Sequence, residues 1–357
     1  MRRIHLPFGR RVGPAGIRPL LVAATVLAVG LLPTGCADGA ARGPSASRSN
    51  LPALGVNVHL EGLDDDQRHA LFVRLADLGA TWVRVGAPWY AVQPAPGSID
   101  PAALNRLDRI LTDATALGLN VLFIGDQAPD WAGGGSATAS NSTAYGSFLG
   151  ALARHFRGRG PGGTSPAYEL MNEPDGATPV GRPWARPDQY AAAACAGYRA
   201  VKLQDSRATV LAGALDVTDW SPWLRQALRS GLTGCFDALS AHPYSDLSVL
   251  EEIRAMVRAE GTSDPVVWVT EFGYSTCEGA LTTCVSPADQ ASLLVTRLRR
   301  LGQNHPSVPV AMVYEAGDEP ENPGKDKERG FGLFTATGAS KPSVGALRDL
   351  YRDRDQR

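Results

Sequence analysis

Two hydrophobic patterns alternate along most of the chain. Short apolar and β-branched runs bounded by turn residues predict buried strands, and longer stretches with an apolar stripe predict helices. In the first helix the stripe is Leu71, Leu75 and Leu78, and the acidic positions 64–66 mark its start. The predicted strands are 54–59, 81–86, 120–125, 167–172, 209–213, 238–242, 266–271 and 310–315. The predicted helices lie near 65–78, 101–117, 143–156, 187–204, 220–230, 248–260, 287–302 and 343–351.

This alternation predicts one architecture. A strand, a helix and a further strand make a parallel pair, and eight such units over about 300 residues predict a single (β/α)8 TIM barrel. We expect it to occupy residues 51–357. An open doubly wound sheet is the alternative, and it is disfavoured because no glycine-rich phosphate turn follows the first strand. In a barrel, chemistry is expected at the carboxyl ends of the strands.

The first 35 residues follow neither pattern. Five arginines without an acid precede an apolar run at 20–32, whose 13 residues are fewer than the roughly 20 that cross a bilayer as a helix. This predicts an export signal over residues 1–35 and an extracytoplasmic protein. Pro33-Thr34-Gly35-Cys36 resembles a bacterial lipoprotein box, so Cys36 is a candidate lipid anchor at the outer face of the cell membrane. Ordinary cleavage near Ala40 is the alternative, and residues 36–50 predict a flexible tether.

Composition and charge narrow the class of protein. Hydrophobic residues make up 44% and charged residues 20% of the chain, which predicts a packed core rather than disorder. The formal net charge is −1, and it becomes −6 if the mature chain begins at Cys36, because the leader removes five arginines and no acid. A general nucleic-acid binder carries a basic surface. We therefore expect no nucleic-acid partner.

The cysteines agree with export. Apart from Cys36 there are four, and an even number in an exported chain predicts two disulfides with three possible pairings. Cys277 and Cys284 are seven residues apart and are expected to close one loop, which leaves Cys195 to pair with Cys235. The chain has no Cys/His cluster with zinc spacing, so we expect no structural metal.

Two strands on facing sides of the predicted barrel end in acidic motifs. The fourth ends in YELMNEP at 168–174, and the seventh ends in WVTEFGY at 268–274. Glu173 and Glu271 therefore come to the mouth of the barrel. Two carboxyls about 5–5.5 Å apart at such a mouth can act as the pair of a retaining glycosidase. One donates a proton to the leaving oxygen, and the other attacks the anomeric carbon.

These motifs resemble the large clan of barrel glycoside hydrolases in which Asn-Glu-Pro closes strand four and a Glu closes strand seven. Within that clan, residues 51–351 are most similar to the family 39 and family 5 cellulase-like enzymes. The resemblance implies that Glu173 is the general acid/base and Glu271 the nucleophile, and that Asn172 hydrogen-bonds the sugar 2-hydroxyl. Strict alternation would turn Asn172 outward where Glu173 points inward, so we expect a bulge at this rim.

The sixth strand ends in a further motif that resembles one of this clan. His242-Pro243-Tyr244 resembles the His-x-Tyr of family 5 enzymes. The resemblance implies that Tyr244 donates a hydrogen bond to Glu271 and helps to keep it ionised, while His242 contacts the substrate or the acid/base. The alternative is that both are packing residues.

Arg84, on the second strand, resembles the arginine that flanks the nucleophile in this clan. A cation in that place lowers the pKa of the nucleophile and orients it. Alternatively, Arg84 neutralises Glu169, which shares the inward parity of Glu173 and lies deeper in the barrel, where a lone charge is costly. The two roles are compatible.

Aromatic residues in the loops on the catalytic side are candidates for sugar-binding platforms. Trp131 is the first choice, because a Pro-x-Trp segment after strand three recurs in family 39-like enzymes. The clan's Trp at the end of strand eight is absent here, which leaves Tyr314 as the aromatic candidate. The family 5 His after strand three is not evident, and Asp126 lies in that segment. Trp268 has parity opposite to Glu271 and is expected to face a helix.

Together these features predict an exported, retaining glycoside hydrolase for a β-linked polysaccharide or oligosaccharide. We expect no cofactor and no metal, and contact with a membrane only through a lipid on Cys36. Two alternatives stay open. One is a barrel that binds cell-surface glycan without cutting it, and the other is a transglycosylase that uses the same carboxylate pair.

Overall fold

Eight parallel strands pair in chain order and close into a barrel, with β8 beside β1. The computed structural model describes residues 50–134, 141–176, 185–218, 220–277, 284–319 and 327–355. The strands are Ala53–Asn57 (β1), Trp82–Pro88 (β2), Asn120–Asp126 (β3), Ala167–Leu170 (β4), Val210–Leu215 (β5), Ala238–Ala241 (β6), Val267–Phe272 (β7) and Val310–Val313 (β8). The predicted (β/α)8 fold is confirmed.

Helices lie between the strands at each predicted place. They are Asp65–Asp77 (α1), Trp89–Val92 (α2), Pro101–Ala116 (α3), Ser142–Phe156 (α4), Pro187–Gln204 (α5), Trp220–Ala227 (α6), Val249–Ala259 (α7), Pro287–Asn304 (α8) and Pro342–Asp355 (α9). The short α2 has no counterpart in the prediction, because four residues are too few to set up a helical period. The predicted export signal, Cys36 and the tether up to residue 49 lie outside the described residues. Of the described helices, none combines the length and the hydropathy of a membrane span.

The lower half of the barrel is filled by apolar side chains from all eight strands. Trp82 and Trp268 are the largest of them and meet edge to face, with ring centroids 5.0 Å apart. Gly55 on β1 makes room for this layer, since a Cβ there would lie 2.5 Å from Met312 and 3.1 Å from Trp82. The other members are Ala53, Leu122, Ala167, Leu211, Ala238 and Val310.

The inward position of Trp268 contradicts the expectation that it faces a helix. That expectation assumed strict alternation along β7, with Glu271 pointing inward. The pairing of β7 with β8 shifts register between Val269 and Phe272. Because the shift falls between the two residues, Trp268 and Glu271 both point into the barrel.

Helices α3 and α8 begin in the same way. A capping side chain, Asp100 or Ser286, accepts a hydrogen bond from a backbone amide of the first turn, and a proline occupies the first helical position. Ala102 and Ala288 are therefore equivalent second positions, and both are exposed.

Two disulfides join the four cysteines. Cys195 on α5 pairs with Cys235 before β6, and Cys277 pairs with Cys284, with Cα–Cα distances of 4.8 Å and 5.3 Å. This is the pairing expected from the sequence. The first bridge ties α5 to the chain that follows α6, and the second closes the short loop ahead of α8.

Candidate active site

Polar side chains converge at the carboxyl ends of the strands around a cavity of about 1090 Å³. Arg84 comes from β2, Asn172 and Glu173 follow β4, Tyr244 follows β6 and Glu271 lies in β7. These five line the cavity together with Tyr314. His242 is completely buried beneath them. The structure therefore brings together seven of the eight residues that the sequence selects, and Trp131 is the exception.

Arg84 is the centre of the site. Its guanidinium donates through Nε to Glu169 at 2.6 Å and through Nη1 to Asn57 and Glu271 at 2.8 and 2.5 Å. Its Nη2 donates to Asn172 at 2.6 Å. Burial lowers the pKa of Arg84, but the charges of Glu169 and Glu271 outweigh burial and raise it. Both sequence interpretations of Arg84 therefore describe contacts that it makes.

Glu271 is nearly buried, and its two carboxylate oxygens have different donors. Arg84 donates to Oε1, and the Tyr244 hydroxyl donates to Oε2 at 2.9 Å. Burial raises the pKa of Glu271, but the nearby charges of His242 and Arg84 and the Tyr244 hydrogen bond together hold it below its ordinary value. This environment favours the ionised carboxylate.

Glu173 is the more accessible carboxyl. Its side chain is 31% exposed, against 9% for Glu271. His242 Nδ1 lies 2.7 Å from Glu173 Oε1, and His242 Nε2 lies 3.7 Å from Glu271 Oε1. Burial lowers the pKa of His242, but the charge of Glu271 and the contact with Glu173 outweigh burial and raise it. The imidazole thus lies between the two carboxyls, within hydrogen-bond distance of Glu173 and beyond that distance from Glu271.

Among the described residues, one group has the composition of a metal site. Glu173, His242 and Glu271 each offer a ligand atom, and these atoms lie within 4.8 Å of one another. The Arg84 guanidinium already supplies a positive charge to Glu271, and His242 Nδ1 is already within hydrogen-bond distance of Glu173. The arrangement is better suited to transferring protons and stabilising charge than to enclosing a cation.

The backbone of the mouth departs from regular geometry. Among the described residues, six that are not glycine have positive φ, and five of them lie at the ends of β3, β4 and β5: Gln127, Met171, Glu173, Ala214 and Val217. Such conformations cost roughly 1 kcal/mol or more each and concentrate at functional sites. With Met171 at φ 69° and Glu173 at φ 44°, the chain leaves strict alternation, and Asn172 and Glu173 both reach the cavity.

Asp126 is a carboxyl of the mouth that the sequence interpretation gave no role. It ends β3, lines the cavity and accepts a hydrogen bond from the Gln127 amide at 2.7 Å. Burial raises its pKa to about 7, and hydrogen bonds from the amides of Gln127 and Asn172 oppose that rise. Asp126 is four residues after Leu122, which points into the barrel, so strand alternation alone would have indicated that Asp126 also points inward.

The aromatic wall of the cavity includes residues that the sequence did not reveal. Tyr314 meets Phe331 at 5.5 Å and His59 at 5.9 Å between ring centroids, and Phe331 also contacts Tyr244 at 5.8 Å. His59 Nδ1 lies 2.8 Å from Glu315. His59 is two residues after the inward-pointing Asn57, so strand alternation would have indicated His59 as a further residue of the site. Phe331 follows β8 at a distance in the sequence and carries no local signal.

Trp131 occupies a different place from the one expected of a sugar platform. Its indole meets Trp89 edge to face at 5.6 Å and donates to the Gln93 carbonyl at 3.2 Å. It is not among the residues that line the cavity. The residue packs into an aromatic cluster with Trp89 because α2, which the sequence did not predict, brings Trp89 against it.

Comparisons with family models and with solved structures both give matches. The family model described as Cellulase (glycosyl hydrolase family 5) matches residues 46–305. Curated proteins give no match.

Solved structures share the fold. A family 39 glycoside hydrolase from the gut symbiont Bacteroides cellulosilyticus WH2 is 21% identical with a TM-score of 0.68, covering 86% of this chain and 65% of that one. The exo-beta-1,4-mannosidase Op5Man5 from Opitutaceae bacterium strain TAV5 is 18% identical with a TM-score of 0.63, covering 86% and 60%. A GH5_18 protein from Streptomyces cattleya, solved in complex with GlcNAc, is 18% identical with a TM-score of 0.68, covering 85% and 80%. This chain therefore spans less than two thirds of the length of the first two.

Proposed function

Because this chain belongs to the cellulase family, glycosyl hydrolase family 5, we propose that it is a retaining glycoside hydrolase for a β-linked oligosaccharide or polysaccharide. Glu271 is the proposed nucleophile and Glu173 the proposed general acid/base. The observation that carries this proposal is that a carboxylate oxygen of each lies within 4.8 Å of the other. Retaining enzymes hold their carboxyls about 5–5.5 Å apart, whereas inverting enzymes need room for a water between them.

The environments of the two carboxyls support this division of roles. Glu271 has a lowered pKa and donors on both oxygens, so it is ionised and oriented for attack on the anomeric carbon. Glu173 lies nearer to solvent and to the leaving group, beside His242. In the first step Glu173 gives its proton to the leaving oxygen while Glu271 forms the bond to the sugar.

The second step uses the same residues in reverse. Glu173, now ionised, removes a proton from a water that attacks the anomeric carbon, and the bond to Glu271 breaks. Two inversions leave the product with the configuration of the substrate. The side-chain oxygen of Asn172, Oδ1, accepts from Arg84 Nη2 at 2.6 Å, which directs the side-chain nitrogen Nδ2 away from Arg84 and leaves it available to the sugar 2-hydroxyl.

Two variants test the assignment on 4-nitrophenyl β-glycosides. Glu271→Ala is expected to lower kcat by about 10⁴-fold or more, and azide is expected to restore turnover with an inverted glycosyl azide. With Glu173→Ala, azide is expected to give the retained azide instead. Glu252→Ala, an exposed carboxyl on α7, is the control. Undiminished turnover by Glu271→Ala contradicts the proposal.

Product analysis separates the proposed hydrolase from its rivals. Transfer of the sugar to a second sugar in preference to water identifies a transglycosylase with the same carboxylates. If the wild-type protein cleaves none of a panel of β-glucans, mannans and xylans and Glu271→Ala still binds glycan like wild type, the protein is a glycan-binding barrel.

We also propose that the protein is exported and held at the outer face of the cell membrane by a lipid on Cys36. The basic, apolar leader supports export, and the two disulfides fit an oxidising compartment. Mass spectrometry of the mature amino terminus from a bacterial host tests this. The expected terminus is an acylated Cys36, and Cys36→Ser is expected to release the protein from the membrane fraction. An unacylated terminus near Ala40 would contradict the anchor.

A further inference from the structure

One histidine of the cavity wall has no role in the proposed mechanism. His59 follows β1, lines the cavity and has a side chain that is 54% exposed. Its Nδ1 lies 2.8 Å from Glu315 Oε2, and its ring meets that of Tyr314 edge to face at 5.9 Å between centroids. Since Nδ1 faces the carboxylate, Nε2 is the nitrogen that the imidazole offers to a ligand.

Glu315 is an unusual partner for an exposed histidine. Its side chain is 2% exposed, and its Oε1 is buried without a hydrogen-bond partner among the described residues. The backbone around it is fixed, because its carbonyl accepts from the Leu333 amide and the Ala316 amide donates to the Asn57 carbonyl, both at 2.9 Å. A buried carboxylate is costly unless a donor compensates it. The contact with His59 supplies that donor and holds the imidazole in one orientation.

A second histidine shows the same pair away from the cavity. His69 on α1 has a side chain that is 55% exposed, and its Nδ1 lies 2.5 Å from Asp113 Oδ1. Asp113 also binds Arg68 at 3.2 Å, and His69 is not among the residues that line the cavity. The two histidines are alike in exposure and in partner. Of the two, it is His59 that faces the space where a substrate binds.

The cavity is open beside His59. β1 and β2 are in register up to Asn57 and Arg84. Two residues further on, His59 and Gly86 therefore come to about the same level of the barrel. Gly86 is exposed and lines the cavity, and a Cβ built on it meets no atom within 4 Å. A sugar ring can therefore approach His59 from the side of β2.

The proposed mechanism determines how that ring lies. The anomeric carbon, C1, is placed between Glu271 on β7 and Glu173 after β4, and the 2-hydroxyl is placed at Asn172. The side of the cavity towards β6 is occupied by Tyr244, which donates to Glu271. The ring therefore extends towards β1 and β2, and C4, the ring atom opposite C1, comes nearest to His59.

The charges around His59 favour a neutral group. The hydrogen bond with Glu315 raises the pKa of His59 more than burial lowers it, and the charges of Glu315, Glu61 and Glu271 add to the rise. A protonated imidazole donates from both nitrogens and repels a cationic sugar, while the three carboxylates repel an anionic one. The hydroxyl of a neutral sugar meets both conditions.

We propose that His59 determines specificity by donating a hydrogen bond from Nε2 to the 4-hydroxyl oxygen of the sugar that is attacked. The inference rests on the proposed function and specifies its substrate. It makes the 4-oxygen of that sugar a determinant of which glycosides are cleaved.

Substrates that lack one hydroxyl test the proposal. They are the 4-nitrophenyl β-glycoside that the protein cleaves best and its 4-deoxy and 3-deoxy analogues. For the wild type, loss of the 4-hydroxyl is expected to lower kcat/KM by about 30-fold, because a hydrogen bond from a charged donor is lost. In His59→Ala this 4-deoxy penalty should fall to less than about threefold, whereas the 3-deoxy penalty should stay as in the wild type. Comparing penalties between variants cancels the intrinsic reactivities of the substrates.

Two further variants and a control locate the donor. A glutamine amide reaches about the position of the histidine Nε2, and an asparagine amide reaches about that of Nδ1. His59→Gln should therefore keep a 4-deoxy penalty of about fivefold or more, and His59→Asn should lose it. His69→Ala, the matched histidine on α1, should keep the full penalty. Melting temperatures identify a variant that fails to fold, and His59→Asn takes the place of His59→Ala if the latter does.

The outcomes separate this inference from the proposed function. If the wild type cleaves the glycoside and His59→Ala keeps the 4-deoxy penalty, or loses the 3-deoxy penalty instead, His59 does not bind the 4-hydroxyl. If the wild type cleaves no glycoside, the proposed function fails. Calorimetric titration with the methyl β-glycoside and its 4-deoxy analogue then decides on His59 alone. About tenfold weaker binding of the analogue by the wild type, but not by His59→Ala, supports the inference, and equal affinities or no binding overturn it.

Discussion

The two ends of the barrel are built from different kinds of side chain. At the bottom, apolar side chains from all eight strands form one layer around Trp82 and Trp268. At the mouth, charged groups meet around Arg84, and non-glycine residues such as Met171 adopt positive φ. The bottom is arranged to exclude water and hold the barrel closed, and the mouth is arranged to hold charges that would be costly without partners. The difference predicts that substitutions at the bottom change stability and substitutions at the mouth change activity.

The largest expected effect is on stability and comes from the bottom. Trp268→Ala removes a buried indole and its contact with Trp82, and we expect the free energy of unfolding to fall by about 3–5 kcal/mol. Urea unfolding measures this. The fraction that remains folded should keep kcat within a few fold of wild type. A large loss of kcat with unchanged stability would remove the distinction between the two ends.

At the mouth, Arg84→Lys is expected to lower kcat/KM by about 100-fold. A lysine has a point charge in place of a planar fork, so it cannot bind Glu169, Glu271 and Asn172 at once. The measurement is steady-state kinetics at a temperature where the variant is folded.

Arg68→Lys is the matched control for that variant. Arg68 is also buried and also bridges two carboxylates, Asp65 and Asp113, but it lies on α1 away from the cavity. It should keep kcat/KM near the wild-type value. Equal losses in both variants would show that the effect of Arg84 is a general cost of altering a buried ion pair.

Much of the difference between the bottom and the mouth of the barrel could be predicted from the sequence. Periodicity found all eight strands, because apolar runs bounded by turn residues give each buried strand a local signal. Glu173 and Glu271 were found because their motifs are contiguous in the sequence. The predicted facing of Trp268 failed, since the register shift in β7 depends on the pairing with β8 and not on residues 267–272 alone.

The parts of the site that stayed hidden depend on contacts between distant segments. Phe331 reaches the cavity from the chain after β8, and no pattern around it predicts that. Trp131 was assigned by its loop, but α2 brings Trp89 against it. His59 and Asp126 are different, because strand parity alone would have selected both.

A smaller effect is expected from a comparison of two tyrosine hydroxyls, one at each end of the barrel, that donate hydrogen bonds of the same length. Tyr244 donates to Glu271 at the mouth, and Tyr351 donates to the Pro52 carbonyl at the bottom, both at 2.9 Å. Tyr244→Phe removes a donor that holds the pKa of Glu271 down, so that pKa rises. Because the proposed nucleophile Glu271 would act when ionised, the acid limb of the kcat/KM profile should move to higher pH, with about tenfold lower activity at the optimum. Tyr351→Phe should leave the acid limb in place, and a shift in that variant would contradict the assignment.

The smallest expected effect links the mouth to stability through pH. Asp126 has a pKa raised to about 7 by burial, so the folded protein favours its protonated form. The stability that this group contributes is complete below its ordinary pKa and is lost as the pH rises through 7. Asp126→Asn keeps an oxygen for the Gln127 amide but cannot ionise, so its unfolding free energy should fall less between pH 4 and pH 8. The gain at pH 8 should be about 1 kcal/mol, below the full value of the shift because the carboxyl is only partly buried.

Asp175→Asn should act in the same direction, since burial also raises the pKa of Asp175 to about 7. Urea unfolding at the two pH values measures both variants. If Asp126→Asn has the same pH dependence as wild type, Asp126 stays ionised in the folded protein and the mouth tolerates its charge.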